Sequence, residues 1–75
     1  MKLKQVLPKD LLKAFIKLGF VIKRRKGSHV FIERAQDGKI FATSISIHTT
    51  AMPKGTLKGI LIQAGIEEEE IAGIL

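Results

Sequence analysis

The constraint that most limits this chain is the pair Asp37-Gly38, set between "HVFIER" (29–34) and "KIFATSISI" (39–47). Asp-Gly tolerates the positive φ values of a tight hairpin turn, and both flanking runs are rich in β-branched or aromatic residues. The "AQDG" stretch therefore joins two antiparallel strands. Upstream, "FVIKRRKG" (20–27) reads as another strand that loses its apolar residues toward a turn, where Gly27 supplies backbone freedom. Three strands in this order predict an antiparallel meander.

The flanks supply a cover for it. Leu7, Leu11, Phe15 and Leu18 recur at helical spacing between Pro8, suited to a first helical position, and Gly19, suited to the residue past the end. The spacing predicts a helix over 8–18, with Lys9, Lys13 and Lys17 as a row on another face. After Pro53 and Gly55, the stripe Leu57, Ile60, Leu61 and Ala64 predicts a second helix closed by Gly65. "EEEEIAGIL" can add a short helical turn, its carboxylates favoured near an N-terminus by the helix dipole. The expected fold is α+β in the order α-β-β-β-α, with two helices on one face of a three-stranded antiparallel sheet. Residues 1–75 make a single domain, with no repeat or linker to divide it. A chain of this size buries only about 60% of its unfolded surface, so any chemistry must sit on the surface of one modest core.

Composition removes whole classes of function. Without cysteine there is no disulfide, no thiol nucleophile and no cysteine-ligated zinc. The start "MKLKQVLPKD" has no apolar stretch of signal-peptide length, and nothing later approaches a membrane span. A cytoplasmic protein that does not engage a membrane is expected. The net charge of +6 is lopsided. Residues 1–34 carry ten Lys/Arg against Asp10 and Glu33, a net of +8, whereas residues 35–75 come to −2. An excess confined to one half makes a directed field, and phosphate is its commonest cellular target. An acidic protein is another.

The cations peak in "KRRKGSHVFIER" (23–34), directly before the Ser28-His29 pair. Strand alternation puts His29, Phe31 and Glu33 on one face and Val30 and Ile32 on the other. If Val30 and Ile32 meet the helices, His29 lies on the open face, within reach of a phosphate held by Lys23, Arg24, Arg25 or Lys26. Imidazole suits proton transfer, since its unperturbed pKa of about 6.5 leaves both forms present near neutral pH. Ser28 can support a phosphate through its hydroxyl or backbone N–H. A surface histidine after a solvated cationic strand end explains the same residues without chemistry. On residues alone, nucleic-acid binding stands ahead of catalysis.

His48, in "SISIHTT", reads first as a strand-end surface residue and second as a substrate contact. Two histidines without cysteine or a close carboxylate pair make only a weak metal signal, and neither a metal nor a cofactor is expected. The glycines form no phosphate-binding loop. Phe31 can stack a base, although four phenylalanines in so small a domain are needed mainly for the core.

"LGF" (18–20), "KGSHVF" (26–31), "IH" (47–48) and "KGTLKGILIQAGI" (54–66) together resemble, in order and spacing, the HicA toxins of toxin–antitoxin systems. That resemblance implies a double-stranded-RNA-binding-domain-like α-β-β-β-α fold. It also implies metal-independent cleavage of mRNA and neutralisation by a HicB antitoxin. The histidine of the family's Gly-Ser-His motif falls on His29, the catalytic residue that the resemblance implies. Gly27 and Ser28 match the residues before it, and Gly55, Thr56 and Leu57 match the start of the last helix. The chain departs from the family at Ser46 and Ile47, where proline is frequent before the later histidine. An endoribonuclease toxin is therefore expected. The alternatives are a non-catalytic RNA-binding module of the same fold and a protein-interaction domain that meets an acidic partner.

Overall fold

The computed structural model describes residues 6–47 and 51–75. Its elements follow the expected order: α1 (Pro8–Lys17), β1 (Val21–Lys26), β2 (His29–Gln36), β3 (Lys39–Ser46) and α2 (Lys54–Ala64). A short α3 (Glu68–Ala72) comes last, out of the acidic run. The Glu67 N–H donates to Glu70 Oε1 at 3.3 Å, so part of that run starts its own helix.

Both long helices stop in the same way. In α1 the Gly19 N–H bonds to the Ile16 carbonyl and the Phe20 N–H to the Phe15 carbonyl. In α2 the Gly65 N–H bonds to the Ile62 carbonyl and the Ile66 N–H to the Leu61 carbonyl. These paired bonds define the Schellman motif, which needs a left-handed residue after the last helical turn. Gly19 (φ +100°) and Gly65 (φ +69°) provide it. The apolar contact expected across such a motif is present in α1, where the Phe15 and Phe20 rings meet edge to face at 4.9 Å. Gly65 has a second constraint: a Cβ there would lie 2.8 Å from the Phe41 ring.

The sheet order is β1-β2-β3, all antiparallel. β2 and β3 pair without interruption from His29↔Ser46 to Gln36↔Lys39, so both strands run to the Asp37-Gly38 turn. Asp37 (φ 53°) and Gly38 (φ 76°) both have the positive φ of a type I′ hairpin. β1 pairs with β2 across a bulge between Ile22 and Arg24, which Lys23 occupies.

The core lies on one side of this sheet. Val30, Ile32 and Ile45 are buried against Leu11, Ala14 and Phe15 of α1 and Leu57, Leu61 and Ala64 of α2, and Ile71 of α3 joins the same cluster. Each large side chain in this cluster is worth about 1.5–3 kcal/mol of transfer free energy. Thr43 is the buried polar residue among those described, and its hydroxyl donates to Gln63 Oε1 at 2.8 Å. Arg34 is half-buried: Nη1 donates to the Leu18 carbonyl at 2.8 Å and the guanidinium lies 4.9 Å from the Phe20 ring centroid. This cation therefore ties the end of α1 to β2 and is taken up by the fold. Before α1, the Met52 N–H donates to the Val6 carbonyl at 2.9 Å, so the segments leading into α1 and α2 are bound to each other. No helix among the described residues is long and apolar enough to cross a membrane.

Candidate functional site

β1 and β2 are joined by a turn of two residues, Gly27 and Ser28, flanked by the pair Lys26↔His29. Gly27 has φ +60° whereas Ser28 does not enter the positive region, the sign pattern of a II′ turn. The Ser28 carbonyl accepts from the Ile47 N–H at 2.7 Å, and the Ser28 and Ser46 hydroxyls stand 3.5 Å apart. The turn is thus held at its base against the end of β3, and His29 follows directly from that anchored point.

Residues paired across antiparallel strands project to the same face. Val30 and Ile32 are buried on the helix side, so His29, Phe31 and Glu33 face away from it, with Ser44 and Ser46 beside them through the pairs Phe31↔Ser44 and His29↔Ser46. The expected face of His29 is the observed one. The cations divide. Lys26 shares the face of His29, Arg24 shares that of Phe31, and the Arg24 guanidinium lies 4.7 Å from the Phe31 ring centroid. Lys23, in the bulge, reaches Glu33 at 3.5 Å. Arg25 instead pairs with Val30 and is directed to the helix side. Lys26 and Ser28 therefore adjoin His29, Arg24 lies one same-face pair further along, Lys23 sits beyond it beside Glu33, and Arg25 lies across the sheet. All six residues of β1 are exposed, and its charges have a structural use as well, since cations on an edge strand discourage another strand from adding to it.

Next to this cationic face His29 lines a groove of about 580 Å³, which runs between the Ser44–Ser46 end of β3 and α2. Thr56, Gly59, Ile60 and Gln63 form its helical wall, at the i, i+3, i+4, i+7 spacing of one helix face, and Met52 and Pro53 close one end. Of this wall the sequence marked only Thr56, through the family resemblance. The stripe on Leu57, Ile60, Leu61 and Ala64 showed which face of α2 is core, but not that its flank would stand opposite a histidine 27 or more positions earlier in the chain. Phe31 lies on the face that strand alternation predicts. Phe15 and Phe20 are buried, but Phe31 is only half-buried, lies on the open face and takes a cation on its ring. His48 lies outside the described residues.

The fold and this site define a small basic α+β domain that presents the His29 imidazole between a cationic hairpin and a hydroxyl-lined groove. Residues 8–66 match the family model described as the HicA toxin of bacterial toxin–antitoxin systems, and the chain belongs to that family. The match runs from the first residue of α1 to the residue after the α2 C-terminal glycine, so it takes in the whole sheet and both walls of the groove. Comparison with curated proteins returns no match. Membership puts the chain on the toxin side of a toxin–antitoxin pair, and so gives it an antitoxin as partner.

Proposed function

We propose that this toxin is a metal-independent endoribonuclease that cleaves mRNA with His29 and is neutralised by a HicB-like antitoxin. The observation that carries the reading is the setting of His29: opposite Lys26, one same-face pair from Arg24, and at the edge of a groove of about 580 Å³. Family membership supports it further.

The chemistry follows from the groups present. RNA contains its own nucleophile, the ribose 2′-OH next to each phosphodiester. A neutral imidazole takes the 2′-OH proton as the oxygen attacks phosphorus, which forms a five-coordinate phosphorane of increased negative charge. The Lys26 ammonium and the Arg24 guanidinium stabilise that charge. The P–O5′ bond then breaks, the 5′ oxygen takes a proton from water, and the His29 imidazolium returns its proton to solvent. The products are a 2′,3′-cyclic phosphate and a 5′-hydroxyl. Ser28 donates to a non-bridging phosphate oxygen through its hydroxyl or its backbone N–H. The turn suits this role because its carbonyl is already committed to Ile47. With His29 as the one proton-transfer group assigned, a slow enzyme is expected, which is sufficient for a toxin.

Purified toxin incubated with RNA in the presence of a chelator tests the reading. Fragments ending in 2′,3′-cyclic phosphate and 5′-hydroxyl are expected. Fragments with 5′-phosphates, or loss of cleavage on chelation, would contradict it.

A further inference from the structure

We propose that the groove beside His29 is a nucleobase pocket, which takes the base of a nucleotide adjoining the scissile phosphate and reads it with Gln63. The proposal rests on the ribonuclease reading of the same site. Its volume of about 580 Å³ falls within the roughly 300–1,000 Å³ typical of small-ligand sites. Its walls combine what a single-stranded base requires: apolar surface from Met52 and Ile60, and polar groups from Ser44, Thr56 and Gln63.

Two features point to a base in particular. The first is Gly59. Glycine is the least favoured residue in a helix interior after proline, and here neither conformation nor packing requires it. Its φ is not positive, and a Cβ would meet nothing within 4 Å. What the missing side chain leaves is open space in the groove wall. The second is the Gln63 amide. Its Oε1 accepts from the buried Thr43 hydroxyl at 2.8 Å, which holds the amide oxygen at the sheet and leaves the two Nε2 protons available to a ligand in the groove that Gln63 lines. A donor pair held in place favours a base edge with carbonyl acceptors, so guanine or uracil should be preferred to adenine, whose recognition needs both the oxygen and the nitrogen of an amide.

Two readouts test the pocket. Cleavage sites on a mixed-sequence RNA are mapped for wild type, Gly59→Leu and Gln63→Leu, with circular dichroism to confirm folding. Separately, the Gln63 side-chain amide resonance of the wild type is followed during titration with non-cleavable 2′-deoxy dinucleotides of each base. Gln63→Leu should reduce the preference for guanine or uracil roughly tenfold, the size of one lost base contact. Gly59→Leu should slow cleavage at all sites by filling the pocket, and the amide should shift most with guanine or uracil. A silent amide, or an unchanged site map and rate in both variants, overturns the pocket and leaves the ribonuclease reading standing if wild type cleaves. If wild type does not cleave but the amide shifts in a base-dependent way, the ribonuclease reading falls and the pocket stands. The titration needs no groove variant, so the proposal remains decidable even if both leucine variants misfold.

Discussion

His29 is exposed, so the fold does not depend on its side chain. His29→Ala removes no core volume, and its unfolding free energy should stay within about 0.5 kcal/mol of wild type in a urea titration. A larger loss would make the histidine structural. Two glycines of α2 should answer alanine in opposite directions. At Gly65 a Cβ meets the Phe41 ring at 2.8 Å and the backbone is left-handed, so Gly65→Ala should cost about 2 kcal/mol or more. At Gly59 the space is open and the conformation helical, so Gly59→Ala should stabilise by up to about 1 kcal/mol. Thermal unfolding of the two variants checks both signs at once. At this scale the sequence was partly legible. The face of His29 followed from strand alternation, because Val30 and Ile32 are apolar and the period is two. The open-face setting of Phe31 followed from the same alternation, but the Arg24 guanidinium over its ring did not, because the Arg24↔Phe31 pairing depends on the bulge in β1.

The β1–β2 hairpin divides its charges between two faces, and that division can be measured. If RNA lies along the face of His29, neutralising Lys23, Arg24 or Lys26 should each reduce the slope of log K against log salt by roughly 0.7 for a single strand. Arg25→Gln should change it much less, because Arg25 pairs with Val30 on the helix side. Equal losses at all four positions would show that the strand wraps the hairpin edge and is not confined to one face. Strand order, turn positions and helix ends were readable in advance, for each is set by local chemistry: Asp37-Gly38 for the turn, Gly19 and Gly65 for the helix ends. The bulge at Lys23 was not, because "VIKRRK" has no glycine or proline to mark it and the shift appears only in its pairing with β2. The same limit hid the groove wall. Thr56, Gly59 and Gln63 come to line the groove only once α2 has docked beside β3.

Over the whole molecule, the basic hairpin and the acidic C-terminal run make the charge distribution strongly asymmetric. An antitoxin that silences the toxin by covering His29 and the hairpin should present an acidic surface there, and opposite charge should speed the encounter at low salt. RNA and antitoxin are then exclusive ligands. Antitoxin affinity measured with and without a saturating 2′-deoxy analogue of the substrate should fall when the analogue is present. Simultaneous binding without mutual weakening would place inhibition elsewhere on the toxin. Arg34 also acts at this scale: by joining the Leu18 carbonyl to β2 it removes one cation from the field available to a ligand. The central claim, that one imidazole on this surface cleaves RNA, is tested most directly by purifying wild type and His29→Ala side by side and timing the decay of one labelled RNA under identical conditions. The account predicts that the wild type produces discrete fragments while His29→Ala, folded and still binding RNA, produces none above background. Cleavage by His29→Ala at the wild-type rate would contradict it.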